Sequence, residues 1–331
     1  MNAIRSAALP RSAAVIISAT LCTSTDHVTF IKEVATTRPP QHLHCLLKVL
    51  QAKGEKLVSP SARHGIIPLA IPLSEDQSGA FTALLRWPTS PDGMEMPVVQ
   101  VQKHGVLLLA MSVDQYIHRI LVEEDSNCHN NTTESLYTAS GNVGKKLYKK
   151  GDFAESKIEN INVYLMKKVA LFTDVLECIA LDHLQRGDQV SALVTGEYYL
   201  NRNHFPGFGR PFVFNAELFL KIGRKLEAKD AARAALKLPW WTLGCRYEKV
   251  GDIAGWDDEQ IEYLRERVTD EGRREDLKKG KAPAQIALDQ AAFLMDLASV
   301  DASWLDIREQ LAALYKEAGL EALARFILYE P

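Results

Sequence analysis

The stretches that decide the fold are Ala180–Ala192 (ALDHLQRGDQVSA) and Ala216–Ala228 (AELFLKIGRKLEA), which follow one plan. Each has a central glycine, with an alanine seven residues before it and another five residues after it. A third stretch, Gly144–Ser156 (GKKLYKKGDFAES), has small residues at the same positions, and the three central glycines are spaced 36 residues apart. Small residues allow two helices to cross closely, and glycine suits the turn between them, so the pattern predicts helical hairpins.

The same pattern returns near the end of the chain, where Ala312, Gly319 and Ala324 have the spacing of the three earlier stretches. This arrangement resembles the tetratricopeptide repeat, although the period is slightly longer and several aromatic positions are missing. Hairpins without a true repeat, each with a conveniently placed glycine, remain the alternative. Either interpretation predicts that residues 134–331 form helical hairpins packed side by side.

The N-terminal part has the alternation of a β-sheet. In Phe81–Trp87 apolar residues occupy every second position, which predicts a half-buried strand. Val98–Lys103 and Val106–Met111 flank His104-Gly105, where glycine can adopt the positive φ that a tight hairpin requires. We therefore expect a small antiparallel sheet in this part of the chain.

A helix should follow this sheet. Ser112 stands before an apolar helical pattern, with Gln115 three residues later, which predicts a capping box. Sheet and hairpins together predict an α+β fold. The predicted division is a transit peptide at 1–25, an α+β domain at 26–125, a linker at 126–133 and a helical-hairpin, tetratricopeptide-like domain at 134–331.

The composition excludes several classes of protein. Of 331 residues, 47% are hydrophobic and 24% are charged, with a net charge of -3, which argues against disorder and against charge-led nucleic-acid binding. No apolar run is long enough to span a membrane. No complete catalytic motif occurs, and we expect neither a cofactor nor a metal. His42, His44 and Cys45 could suggest metal binding, but their spacing on a helix does not converge, which favours a structural role.

The N-terminus has the composition of an organelle transit peptide. Before the first acidic residue, Asp26, the chain carries Arg5, Arg11 and many Ser, Thr and Ala residues. A secretory signal with its apolar part at Ala13–Leu21, or a tail with no targeting role, remains the alternative. The composition predicts import into an organelle and removal of roughly the first 25 residues.

Two aromatic loops are the candidate binding site. Phe208 and Arg210 lie in a loop rich in Pro and Gly, and Trp240 and Trp241 directly follow a predicted helix. Aromatic residues and arginine are enriched at the energetic centres of protein interfaces. We predict that these four residues lie on or border a contact surface. The alternative is that they fill gaps between helical hairpins.

Several long runs resemble one plant protein family, named Protein in Chloroplast ATPase Biogenesis. They extend over about 27–331 and include PGFGRPFVF (206–214), KDAARAALKLPWWTLG (229–244) and GIIPLAIPLS (65–74). The resemblance implies a stromal assembly factor for the catalytic head of the chloroplast ATP synthase, CF1, which helps to incorporate the γ subunit. The resemblance implies no catalytic residues. It also implies that the client, the γ subunit, is largely a helical hairpin.

The sequence leaves three alternative functions open. The first is a non-enzymatic assembly chaperone that binds the γ subunit on a surface of helical hairpins. The second is a helical-repeat scaffold of another organellar complex, which the predicted helical hairpins support equally well. The third is an enzyme with its site between the sheet and the helices. An enzyme should have a deep pocket with converging polar groups, and a scaffold should have a broad groove.

Overall fold

The computed structural model describes residues 24–90, 94–127, 136–201, 203–256 and 258–330. The predicted transit peptide, apart from its last two residues, lies outside these ranges. Most of the predicted linker lies outside them as well, so both assignments stay predictions. Within the described ranges, no helix has both the length and the apolar character that crossing a membrane would require.

Three helices and an antiparallel sheet form the N-terminal part. The helices are α1 (Ser24–Glu33), α2 (Leu43–Ala52) and α3 (Val113–Ser126). The five strands are ordered in the sheet as in the chain. They are β1 (Lys56–Leu57), β2 (Ala70–Glu75), β3 (Phe81–Leu85), β4 (Val98–Gln102) and β5 (Gly105–Ala110).

Thirteen helices follow α3 in the part of the chain that the structure describes, and no strand does, so the predicted α+β class is confirmed. A 3-10 turn (Trp240–Thr242) lies between the helix that ends at Ala235 and the helix that begins at Tyr247. The helices are α4 (Leu136–Leu147), α5 (Asp152–Glu155), α6 (Ile161–Lys168), α7 (Thr173–Gln185), α8 (Gln189–Tyr199), α9 (Arg210–Lys221), α10 (Lys225–Ala235), α11 (Tyr247–Ala254), α12 (Glu259–Arg267), α13 (Asp270–Lys278), α14 (Pro283–Asp301), α15 (Arg308–Glu317) and α16 (Glu321–Leu328).

The hairpins α7–α8 and α9–α10 match the sequence pattern. Their turns contain Gly187 and Gly223, both with φ of +80°, a conformation that glycine adopts without strain. The flanking alanines, including Ala180 and Ala216, are fully buried where the paired helices pack. The C-terminal pair α15–α16 repeats this arrangement with a positive φ at Gly319.

The first predicted hairpin differs from the pattern. After Gly151, α5 has only four residues and ends at Glu155. Lys157 adopts a left-handed φ of +57°, which a helix interior does not accommodate. The side chain of Asn160 then accepts hydrogen bonds from the backbone N–H groups of Asn162 and Val163 and begins α6. Local capping therefore overrides the small-residue pattern in this unit.

The sheet is more deeply buried than its sequence indicates. The prediction of a half-buried strand at Phe81–Trp87 is wrong, because Thr82, Ala83, Leu84 and Leu85 are all buried. Helix α2 packs on β2, while α3 and the 3-10 turn pack on β5. Helices from both parts of the chain therefore cover the sheet, and alternation along the strand no longer separates core from solvent.

The turn between β4 and β5 contacts the second half of the chain directly. Gly105 has a φ of +150°, as the hairpin prediction requires. A Cβ atom at Gly105 would overlap the carbonyl oxygen of Trp241. Glycine is therefore required here for two reasons, the backbone conformation and the close approach of another segment.

The start of α3 is partly as predicted. The hydroxyl of Ser112 accepts a hydrogen bond from the backbone N–H of Gln115 at 3.2 Å. The side-chain oxygen of Gln115 is buried without a hydrogen-bond partner among the described residues. The Ser112 cap is thus present, while the returning half of the predicted capping box is not observed.

One hydrophobic cluster extends from Phe30 in α1 to Ile327 in α16. A smaller cluster around Trp240 and Leu243 lies among the later helices. The ends of the described chain are also joined by polar contacts, because the Nη1 atom of Arg63 donates to the carbonyl oxygen of Phe326 at 2.6 Å. The division into two domains at 126–133 stays a prediction.

Candidate protein-binding site

The three predicted aromatic residues are buried. Phe208 is 2% exposed, and Trp240 and Trp241 are each 4% exposed. The ring of Trp87 lies 5.4 Å from that of Phe208 and 5.0 Å from that of Trp241, measured between centroids. This aromatic cluster joins the end of β3 to the two loops, so in this conformation it holds the sheet against the helices.

Trp240 is held by contacts on several sides. Its indole N–H donates to the carbonyl oxygen of Leu236 at 3.1 Å, and its ring lies 4.1 Å from the ring of Tyr247. Its backbone N–H donates to Asp296 at 2.7 Å. The 3-10 turn is therefore fixed to both α10 and α14.

Asp296 is an unusual partner for this turn. Its carboxyl is buried in α14, and burial raises its pKa to about 8, although the hydrogen bond from Trp240 lowers it. A carboxyl in such a place is neutral below that pH, because ionisation without solvent or a counter-ion is costly. The carboxyl can then accept the Trp240 hydrogen bond without a buried charge.

Arg210 is paired inside the protein. Its Nε and Nη2 atoms donate to the two carboxylate oxygens of Glu177 at 2.8 and 2.7 Å, and Nη2 also lies 3.4 Å from Glu217. Burial lowers the pKa of Arg210, but the hydrogen bonds and charge of Glu177 outweigh it, so the net shift is upward. The hydroxyl of Tyr199 donates to the same carboxylate of Glu177 at 3.1 Å. Together, the ion pair and the Tyr199 hydrogen bond connect α7, α8 and α9.

An exposed apolar surface lies on the outer face of α8. Val190, Val194 and Tyr198 are 73%, 60% and 47% exposed, and we call these three residues the α8 stripe. Residues four apart lie on the same side of a helix, so the three side chains are neighbours. Leu226, 77% exposed, occupies the position in hairpin α9–α10 that Val190 occupies in α7–α8. Apolar side chains exposed in this way are typical of protein contact sites.

The α8 stripe is held on a rigid support. Asp188 caps the start of α8 by accepting a hydrogen bond from the backbone N–H of Ser191 at 2.9 Å. The side-chain amide of Asn215 in α9 donates to the carbonyl oxygen of Gly196 at 2.9 Å. A Cβ at Gly196 would lie 2.6 Å from the Asn215 side chain, so the two helices pack very closely. The outward face of α8 is therefore fixed by contacts on its inward face.

The α8 stripe is not evident from the sequence alone. Apolar residues four apart are usually read as the buried face of a helix. On α8, however, Ala192 and Gly196 occupy the face that crosses the neighbouring helices. The valines lie on the opposite face of α8. A second apolar face on a helix whose first face already packs in the hairpin is the one feature of the sequence that could have indicated an exposed apolar surface.

His42 and Cys45, two of the three residues that could have suggested a metal site, make contacts inside the protein. The Nδ1 atom of His42 lies 2.6 Å from a carboxylate oxygen of Asp114, and the Cys45 thiol donates to the carbonyl oxygen of Ser140 at 3.3 Å. In the described ranges, no three His, Cys, Asp or Glu side chains are arranged to hold a metal ion.

Comparisons with known proteins cover almost all of these elements. A family model described as PAB N-terminal matches residues 25–168, the PAB middle domain matches 173–257, and the PAB C-terminal domain matches 261–329. Protein IN CHLOROPLAST ATPASE BIOGENESIS, chloroplastic, of Arabidopsis thaliana is 61% identical over 308 residues, which are 93% of this chain and 92% of that protein. No solved structure matches the chain. The resemblance inferred from the sequence runs is confirmed.

Proposed function

The chain belongs to the family of Protein IN CHLOROPLAST ATPASE BIOGENESIS, and on that premise we propose that it is an assembly factor for the chloroplast ATP synthase. We propose that it binds the γ subunit and helps to incorporate it into the CF1 head, as a chaperone without a catalytic step of its own. Family membership is the observation that carries this proposal. The exposed apolar surface of α8 supports binding as the mode of action.

The α8 stripe is the proposed contact with the client. A client that is largely helical offers apolar residues three and four positions apart, and such a face packs against an apolar surface on a helical protein. Val190 and Val194 supply branched apolar surface, and Tyr198 adds an aromatic side chain with a polar hydroxyl. A stripe held rigidly from behind loses little conformational entropy on binding.

Phe208, Arg210, Trp240 and Trp241 are proposed to border this surface from inside the protein. The Arg210–Glu177 pair joins the helices that flank α8. Phe208 and Trp241 contact Trp87 and so hold the two loops that contain them against the sheet. Their contribution to binding would then be indirect, through the position of the helices that present the stripe.

The proposed location is the chloroplast stroma, with residues 1–25 as the transit peptide. The absence of acidic residues before Asp26 supports this. A fusion of residues 1–40 to a fluorescent protein should enter chloroplasts, and the imported product should be shortened by roughly 25 residues. A fusion that stays in the cytosol, or enters mitochondria alone, would refute the targeting proposal.

Affinity purification from isolated chloroplasts tests the function as a whole. The tagged protein should co-elute with the γ subunit, with yield that falls when mature ATP synthase, rather than unassembled subunits, predominates. Co-elution with the subunits of a different complex would favour the alternative of a scaffold for that complex. Plants or algae lacking the protein should accumulate less assembled CF1 while other stromal complexes are unchanged.

A further inference from the structure

A groove of about 390 Å³ lies between α1 and the segment that follows α16. Helix α1 forms one wall, the loop after β1 forms a second, and Tyr329 forms a third. Its volume lies within the range of clefts that bind ligands. The described residues that line it are Asp26, Thr29, Phe30, Glu33, Val34, Ser59, Pro60, Ser61 and Tyr329.

The wall from α1 is one side of that helix held in a fixed position. Its lining residues recur at i, i+3, i+4, i+7 and i+8, which is the spacing of a single helical face. A neighbouring face of α1 packs inward, where Ile31 is fully buried and the Nε2 atom of His27 lies 3.2 Å from the carbonyl oxygen of Pro72. The groove face is therefore anchored to the sheet from behind.

The wall from the C-terminal segment is fixed as well. The Nη2 atom of Arg308 donates to the carbonyl oxygens of Ile327 and Tyr329 at 2.9 and 3.3 Å. The Nη1 atom of Arg308 donates to Glu330 at 3.3 Å, and Arg308 is not among the described lining residues. The ring of Tyr329 lies 5.4 Å from that of Phe30, edge to face. The groove thus exists before a ligand binds.

The groove carries negative charge. Asp26 and Glu33 both line it and are both exposed, and its described lining residues include no lysine, arginine or histidine. Glu33 forms no ion pair with a residue in the described ranges. The two residues are seven positions apart on α1, so their Cα atoms are about 10 Å apart along the helix axis. A ligand with two cationic groups at this spacing can pair with both.

The surface beside the carboxylates is apolar and aromatic. Phe30 and Pro60 are buried, Val34 is half-buried and Tyr329 is 37% exposed. The alkyl part of an arginine side chain packs on apolar surface, and its guanidinium stacks on aromatic rings. A hydrated metal ion would use none of this surface.

We propose that this groove binds a basic segment of a partner protein, with arginine side chains paired to Asp26 and Glu33 and an apolar side chain against Phe30 and Tyr329. Charge complementarity favours a cationic partner. A polyproline II chain has three residues per turn and rises about 3.1 Å per residue, so arginines three residues apart lie on one side about 9 Å apart. That spacing matches the two carboxylates.

A metal ion is the less suitable occupant. The oxygen ligands of a divalent cation lie within about 2.6 Å of it, and residues two helical turns apart cannot both reach one ion at that distance. The groove is separate from the α8 stripe, and the inference stands whether or not the ATP synthase is the partner.

Fluorescence anisotropy of a labelled peptide measures this binding with the full chain. The probe is the amidated peptide Gly-Arg-Leu-Pro-Arg with fluorescein at its N-terminus. The comparison peptide has citrulline in place of both arginines, which keeps the shape of the side chains and removes their charge. The arginine peptide should bind with saturation, and the citrulline peptide should bind about tenfold more weakly or worse.

Two variants test the position of the peptide. Glu33→Gln should weaken binding of the arginine peptide about fivefold, because it removes one carboxylate and keeps the side-chain shape. Glu159→Gln is the matched control, since Glu159 is also exposed and has no ion pair in the described ranges, and it should bind as the wild type does. Tyr329→Ser should also weaken binding severalfold by removing the aromatic wall.

Equal binding of the two peptides to the wild type would overturn the proposal, and this comparison requires no variant to fold. Unchanged binding by folded Glu33→Gln or folded Tyr329→Ser protein would overturn it as well. Displacement of the peptide by millimolar Mg²⁺ at constant ionic strength would identify a cation site and refute the peptide assignment. A dimer of the chain that the peptide dissociates would identify a second copy as the occupant and refute a separate partner. Absence of saturable binding at millimolar arginine peptide would also refute the proposal.

Discussion

Arg210 and Glu177 form a two-pronged ion pair in which both nitrogen–oxygen distances are below 3 Å and both side chains are about 15% exposed. Arg210 begins α9, while Glu177 lies in the middle of α7. The pair therefore fixes the relative position of two consecutive hairpins. Arg210, which the sequence suggested as a partner contact, therefore binds another helix of the same protein.

Removal of one member of this pair should destabilise the protein. Arg210→Ala leaves the mostly buried Glu177 carboxylate without its cation, and we expect the free energy of unfolding to fall by about 3 kcal/mol. The double variant Arg210→Met with Glu177→Gln should recover part of the loss, because it leaves no unpaired charge. Urea unfolding followed by circular dichroism measures both.

Arg224→Ala is the matched control for this experiment. Arg224 pairs with Glu227 at the surface, where solvent screens the interaction. Its removal should leave the unfolding free energy nearly unchanged. An Arg210→Ala variant as stable as Arg224→Ala would contradict the proposed framework role of the buried pair.

Gly105→Ala should be strongly destabilising. The new methyl group would overlap the backbone of Trp241, which no side-chain rotation can relieve. We expect a loss of about 3 kcal/mol or more, because the β4–β5 turn or the 3-10 turn must move. Gly54→Ala serves as control: Gly54 also has positive φ, but no atom lies within 4 Å of its Cβ position. It should lose only about 1–2 kcal/mol from backbone strain, and similar losses for both variants would argue against the close contact.

Asp296 should make stability decrease as the pH rises. Its pKa is about 8 in the folded protein and 3.8 for an ordinary aspartate, so between these values the folded state holds a proton that the unfolded state has released. The free energy of unfolding should therefore fall across this range, by up to about 1.4 kcal/mol per pH unit from this group, and level off above pH 8.

Asp296→Asn should remove this contribution, because the amide oxygen can still accept from the Trp240 backbone without titrating. The difference in unfolding free energy between variant and wild type should grow from pH 5 to pH 8 in favour of the variant. Parallel pH profiles for the two proteins would show that Asp296 does not hold its proton in the folded state.

The sequence predicted the fold class and the helical hairpins well. The glycine at each turn and the small residues around it act locally, so Gly187, Gly223 and their alanines could be interpreted without tertiary information. The burial of Thr82 on β3 could not, because it depends on helices distant in sequence. The short α5 was missed because the left-handed Lys157 is not marked by glycine or proline.

The candidate site was less predictable than the fold. Trp240 and Trp241 stand out in the sequence, but an aromatic residue that packs inside a protein has the same appearance as one that binds a partner. Glu33 shows the converse difficulty, since it looks like an ordinary surface acid in the sequence and only the structure places it in one groove with Tyr329. The exposure of Val190 and Val194 depends on which face of α8 meets α7 and α9.

Binding of the γ subunit at the α8 stripe can be measured directly with the purified γ subunit, the wild-type protein and the triple variant Val190→Ser, Val194→Ser and Tyr198→Ser. These side chains are exposed, so the variant should melt at nearly the same temperature as the wild type. We expect saturable binding by the wild type and at least tenfold weaker binding by the folded triple variant. Equal affinity of the two proteins would contradict the α8 stripe as the contact surface, and no binding by the wild type would contradict the γ subunit as its client.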